Sequence, residues 1–91
     1  MIHYQCAKGL SLSEKKNGKD IEFTIVVEDI ARYDSAIKKV RQHFDGNRIY
    51  TDVLFYIHKD NEYQIIVRHD YYIDFILYLF KYQLIQSLSW T

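Results

Sequence analysis

The sequence contains one cysteine, no proline and only three glycines. A lone Cys6 rules out an intrachain disulfide or a CxxC metal knuckle within these residues, and we expect it to be a small buried side chain. The absence of proline and the scarcity of glycine argue against a flexible linker or a low-complexity tail. We therefore expect a single domain over 1–91.

An excess of charge of one sign is also lacking. Lys plus Arg and Asp plus Glu both number 12, so the net charge is zero. This removes the main electrostatic argument for a general nucleic-acid binder and equally for an acidic nucleic-acid mimic. An apolar fraction of 48% and an aromatic fraction of 16% are too high for a disordered chain.

Long hydrophobic runs are missing as well. Residues 1–9 have no apolar segment of the kind found in a signal peptide. The most apolar stretch, 71–79, contains Asp74 and is too short to cross a bilayer. We therefore expect a cytoplasmic protein that does not bind membranes.

Many of its residues have AT-rich codons, which points to a low-GC genome or a mobile element.

The first half of the chain predicts a β-hairpin. Apolar residues alternate with polar ones over 2–13 and again over 21–27, which is the period of a half-buried strand. The Asn-Gly dipeptide at 17–18 between them is a strong hairpin signal. A two-residue loop there would pair Leu12 with Phe23.

A second hairpin is predicted over 49–67. A three-residue loop at 59–61 places Phe55 opposite Ile65, so that apolar side chains share one face. A two-residue loop would place Phe55 opposite Ile66, which faces the wrong way.

Each hairpin is followed by a helix. Asp29 is placed to cap the first helix, whose apolar residues recur at helical spacing up to Phe44. Asp70 is placed to cap the second helix, predicted over 71–86, and the remaining residues form a tail or at most a short edge strand.

The resulting order, ββαββα, predicts a two-layer α+β fold. Antiparallel hairpins and right-handed crossovers favour a four-stranded antiparallel sheet in the order 1-2-4-3, with both helices on one face. This layout resembles a ferredoxin-like fold whose last strand has moved to the front. The resemblance is one of topology and implies no activity.

The second helix has two apolar sides. The aliphatic side comprises Ile73, Ile76, Leu77, Phe80 and Leu84. The opposite side, with its flanking leucine, comprises Tyr71, Phe75, Tyr78, Leu79 and Tyr82. We expect the aliphatic side to pack on the sheet, which leaves this aromatic row as an interface with a second copy or another protein. The alternative is that the row is buried within the subunit.

Basic residues form a second candidate surface, near the first hairpin tip and on the first helix. They are Lys15, Lys16, Lys19, Lys38, Lys39, Arg41 and, just after the helix, Arg48. If the tip and the helix converge, these side chains could contact phosphates. The alternative is an ordinary solvated surface, since no nucleic-acid-binding motif accompanies them.

No catalytic constellation is evident. The four histidines are dispersed, and the neighbouring pair of His69 and Asp70 is weakened as an acid–base dyad because Asp70 is expected to be a cap. We predict no catalytic residue, metal, cofactor or small-molecule substrate. The protein is predicted to be a protein–protein interaction module, a homodimeric regulator or inhibitor that occludes a partner surface, with nucleic-acid binding as the alternative.

Overall fold

The computed structural model describes residues 2–45, 53–58 and 61–91. These residues form an α+β fold with two α-helices and two antiparallel sheets. In chain order the elements are β1 Ile2–Cys6, β2 Leu10–Asn17, β3 Asp20–Val27, α1 Ile30–Asp45, β4 Val53–Ile57, β5 Glu62–Arg68, α2 Tyr72–Lys81 and β6 Ile85–Trp90. A 3-10 turn, His69–Tyr71, precedes α2.

The larger sheet has four strands in the order β2-β3-β5-β4, and β1 pairs with β6 in a separate two-stranded sheet. The prediction of one continuous strand over 2–13 was therefore wrong. Gly9, at a φ of +82°, turns the chain between β1 and β2. The alternating pattern runs on through this turn without a change of phase, which is why it concealed the break.

The first hairpin is shifted by two positions from its predicted register. Leu12 pairs with Ile25 rather than with Phe23, because the two-residue loop begins at Gly18 instead of one residue earlier. Gly18 adopts a φ of +61°, as the first loop residue of a type II′ turn does. A shift of two leaves every side chain on its predicted face.

The second hairpin has its predicted register. Phe55 pairs with Ile65, and the amide of His58 donates a 2.9 Å hydrogen bond to the carbonyl of Glu62. Positions 59–60 of the predicted loop lie outside the described residues.

The first helix is capped as predicted. The Asp29 carboxylate accepts a 3.2 Å hydrogen bond from the amide of Arg32, which satisfies one of the free donors at the helix start. The side chains that α1 buries are Tyr33, Ile37, Val40 and Phe44.

The start of α2 differs from the prediction, because Asp70 does not cap it. No side-chain hydrogen bond caps this helix, and Asp70 lies two residues before its first residue, within the 3-10 segment. Its carboxylate instead lies 3.5 Å from Nε of Arg68 and 2.8 Å from Nε2 of His69.

The end of α2 also differs, since the helix stops at Lys81 and not at residue 86. Gln83 adopts a left-handed φ of 65°. The amide of Leu84 bonds to the carbonyl of Leu79 at 2.9 Å, and that of Gln83 to Phe80 at 3.0 Å. These two bonds form a Schellman cap, after which β6 begins where helix was predicted.

The core lies between the helices and one face of the larger sheet. Phe75 is at its centre, with ring centroids 4.7 Å from Phe23, 5.7 Å from Phe44 and 6.4 Å from Phe55. All charged side chains in the described ranges keep some exposure. Neither described helix combines the length and the apolar character that crossing a membrane requires.

Candidate functional site

The core-facing surface of α2 takes residues from both predicted sides, so the predicted orientation of this helix was wrong in part. From the aromatic side, Phe75 is fully buried and Leu79 is 1% exposed. The aliphatic side is divided, since Ile76 is fully buried whereas Leu77 and Phe80 are 46% and 43% exposed. The physical reason is the set of phenylalanines that β3, α1 and β4 direct at Phe75, since ring–ring packing adds to the gain from burial. Phe75 and Leu79 offer no surface to a partner of the folded subunit.

The tyrosines of the predicted interface, Tyr71, Tyr78 and Tyr82, are half-buried. Tyr78 stacks on the ring of His43, with centroids 3.7 Å apart, and therefore joins α2 to α1. Burial, followed by the nearby charge of Lys81, lowers the pKa of His43. Tyr78 thus lies in the contact between the helices, and Tyr71 and Tyr82 pack against the core.

Strand β4 presents a different apolar surface, because it is an edge strand of the larger sheet. Its five residues, Val-Leu-Phe-Tyr-Ile, include no charged residue and no proline. Leu54 and Tyr56 are each 47% exposed and Ile57 is 60% exposed. Natural edge strands usually carry charges, prolines or bulges that prevent pairing with another chain. The residues of β4 lack that protection.

The backbone of β4 is arranged for a further partner. His58 and Glu62 form a hydrogen-bonded pair, and such pairs alternate along an antiparallel ladder. The amides and carbonyls of Val53, Phe55 and Ile57 therefore point away from β5. Among the described residues, these groups have no hydrogen-bond partner. We call this set of groups, with the exposed side chains of Leu54, Tyr56 and Ile57, the β4 edge.

A basic groove runs beside the two helices. Its larger part, about 580 Å³, is bordered by Lys8, Arg32 and Lys81. A smaller part, about 360 Å³, shares Arg32 and Lys81 and adds Lys39. No described carboxylate lines either part or forms an ion pair with these four cations.

The basic groove was not predicted from the sequence, because its cations come from three separate regions of the chain. Lys8 lies in the turn after β1, Arg32 and Lys39 lie on α1, and Lys81 is the last residue of α2. No window of sequence contains them together. The spacing of Arg32 and Lys39, two helical turns apart, was the one available signal.

The predicted basic surface is divided. Lys15 and Lys16 are adjacent residues of one strand, so their side chains point to opposite faces of the hairpin, and Lys19 lies in the turn. On α1, Lys38 pairs with Asp34 at 3.0 Å and Arg41 pairs with Asp45 at 3.2 Å. These i,i+4 pairs reduce the positive potential of that part of the helix. Arg48 lies outside the described residues.

An apolar cleft of about 390 Å³ lies beside Trp90, at one end of the two-stranded sheet. At its border, Glu14 accepts hydrogen bonds from the phenols of Tyr4 and Tyr72. Burial, followed by the interaction with Glu14, raises the pKa of both phenols. They therefore remain protonated donors at neutral pH, and this cluster ties β1 and α2 to β2.

Groups with catalytic potential are few in the described residues. His69 and Asp70 do form a 2.8 Å contact, but both side chains are exposed. Burial raises the pKa of the Cys6 thiol, which lowers its reactivity because the thiolate is the nucleophile. The described ranges contain no cluster of three or more His, Cys, Asp or Glu residues that could hold a metal ion.

Comparison with known proteins assigns no family to this chain. No family model matches it, and no curated protein or solved structure matches it either.

Proposed function

We propose that this protein is a non-catalytic binding module that assembles as a homodimer by pairing β4 with the β4 of a second copy. The observation that supports the proposal is the β4 edge, an unprotected apolar strand whose outward backbone groups have no described partner. Adding a strand to an open sheet edge is a common mode of protein recognition, with main-chain hydrogen bonds supplying affinity.

A two-fold antiparallel pairing centred on Phe55 would satisfy these backbone groups. Phe55 of one chain would face Phe55 of the other, and Val53 of one chain would face Ile57 of the other. Each of these residues directs its amide and carbonyl outward, so the new ladder would form hydrogen-bonded pairs at all of them. The strand is thus complementary to itself, which is the requirement for a two-fold dimer.

The same register would bury the exposed side chains of the edge. Leu54 of one copy would lie opposite Tyr56 of the other, on the sheet face away from the helices, and aromatic–aliphatic pairs of this kind stabilise sheets. The strand has only five residues, and interfaces this small are weak and reversible. We expect association in the micromolar range.

The test measures solution mass by sedimentation or light scattering over about a hundredfold range of concentration. Leu54→Lys places a charge in the proposed contact and should keep the protein monomeric. Leu77→Lys is the matched control, because Leu77 has almost the same exposure on α2, and it should dimerise like the wild type. Circular dichroism verifies that each variant is folded, and Tyr56→Lys serves as a second edge variant.

Two results would overturn the proposal. One is a wild type that stays monomeric at the highest concentration. The other is a dimer that Leu54→Lys and Leu77→Lys weaken equally, which would indicate nonspecific association.

We further propose that the dimer acts as a regulator or inhibitor by covering a surface of a partner protein. The permuted ferredoxin-like layout in the order 1-2-4-3 also stays a proposal, because β1 and β6 add a second sheet that this layout does not contain. It carries no functional argument.

A further inference from the structure

We propose that the basic groove binds single-stranded nucleic acid, with its four cations contacting the phosphodiester backbone. The chain has no net charge, yet Lys8, Arg32, Lys39 and Lys81 border two adjoining depressions that no described carboxylate lines. Such segregation of charge produces a local positive potential that the net charge conceals.

The shape of the groove favours an extended ligand over a single small anion. Its two parts share Arg32, Lys81 and Gln83, so Lys8 and Lys39 border its opposite parts, with Arg32 and Lys81 between them. A linear series of cations matches a series of phosphates along one strand. Arginine and lysine contacts of this kind dominate sequence-independent binding.

Aromatic surface accompanies the charge. Phe80 lines the larger part of the groove with 43% of its surface exposed, and the half-buried ring of Tyr82 lines the smaller part. Bases stack on exposed rings with little sequence preference, and a cationic channel with aromatic platforms is the usual design of a single-strand binder. Exposed Phe80 has no evident role in the packing of α2.

The cap at the end of α2 reduces the negative potential that a helix C-terminus presents to an anion. The C-terminal carbonyls of a helix carry partial negative charge, but those of Leu79 and Phe80 already accept hydrogen bonds from Leu84 and Gln83. The groove also lies away from the proposed dimer contact. Lys8 of the groove is in the β1–β2 turn, which leads into β2, and β2 is at the opposite edge of the larger sheet from β4. Binding and dimerisation can therefore be tested separately.

The experiment measures fluorescence anisotropy of a labelled oligothymidine at low salt, with the full chain. Lys8→Glu with Lys39→Glu removes the cations at the opposite parts of the groove, and binding should weaken by about tenfold or more. Lys15→Glu with Lys19→Glu is the matched control, because it changes the net charge equally at the hairpin tip, and it should bind like the wild type within about threefold. The logarithm of the wild-type affinity should fall with the logarithm of salt concentration at a slope of about −3, as four phosphate contacts to a single strand predict.

Two further probes define the ligand class. Phe80→Ser should weaken oligothymidine binding by about tenfold through lost stacking, and it should leave binding of inorganic polyphosphate unchanged. A labelled polyglutamate peptide should bind more weakly than oligothymidine. The proposal is overturned if the wild type does not bind oligothymidine, or if the groove and hairpin variants lose affinity equally. Equal binding of polyglutamate, or a Phe80 variant that binds oligothymidine normally, would replace nucleic acid with an unspecific polyanion as the ligand.

Discussion

Glu14 connects three elements through two hydrogen bonds. Its carboxylate on β2 accepts from the phenol of Tyr4 on β1 and, at 3.0 Å, from that of Tyr72 at the start of α2. Burial and the adjacent negative charge raise the pKa of both phenols from the ordinary value of 10.0. Each phenol therefore keeps its proton in the folded protein at a pH where the unfolded chain loses it.

This cluster predicts a loss of stability in alkaline solution. A raised folded pKa contributes stability that is complete below about pH 10 and is lost as the pH rises further. The free energy of unfolding, measured with urea from about pH 8 to 11, should fall more steeply in the wild type than in a Tyr4→Phe, Tyr72→Phe double variant. Tyr56→Phe, at an exposed tyrosine outside the cluster, should keep the wild-type slope. An unchanged slope in the double variant would contradict this account.

At the scale of elements, the C-terminus of α2 depends on one residue in an unfavourable conformation. Gln83 occupies the left-handed position of the Schellman cap, where glycine is usual because it has no Cβ. Gln83→Gly should therefore stabilise the protein by about 1 kcal/mol, measured as a shift of the urea midpoint at constant slope. Gln86→Gly, the same change in the extended strand β6, should destabilise it by about 0.5–1 kcal/mol. Destabilisation by both changes would show that the left-handed conformation is not strained.

The elements also show what the sequence could and could not predict. The sequence pattern was sufficient to predict α1, because its cap and its single apolar face agree. It was also sufficient to predict the register of the second hairpin, because only one of the two loop lengths considered keeps Phe55 on the apolar face. The end of α2 was not predictable from local signals, since neither glycine nor proline marks it. The orientation of α2 was not predictable either, because the helix has two apolar sides. Which residues face the core depends on phenylalanines that are distant in sequence.

At the scale of the whole molecule, both candidate surfaces arise from topology. Residues 53–57 have the composition of a strand buried on both sides, and only the order of the sheet makes β4 an edge. The cations of the basic groove come together only when the β1–β2 turn, α1 and the end of α2 meet. The sequence predicts an interaction surface and a basic surface, but most of the residues predicted to form them are buried, paired or separated by the fold.

Pairing of β4 with the β4 of a second copy around Phe55 predicts one specific contact between the two chains. Leu54 of one chain would lie opposite Tyr56 of the other at about 4.5 Å between Cα atoms, whereas two Leu54 residues would lie diagonally at about 7–8 Å. A disulfide can form at the first separation and is disfavoured at the second.

The most direct measurement is therefore a mixing experiment in a Cys6→Ser background. Chains with Leu54→Cys and chains with Tyr56→Cys are combined, oxidised gently and analysed by non-reducing mass spectrometry. Pairing around Phe55 predicts that the mixed disulfide between the two variants greatly exceeds either homodimeric disulfide. Random proportions of the three products, or no disulfide at a concentration where the protein is dimeric, would contradict it.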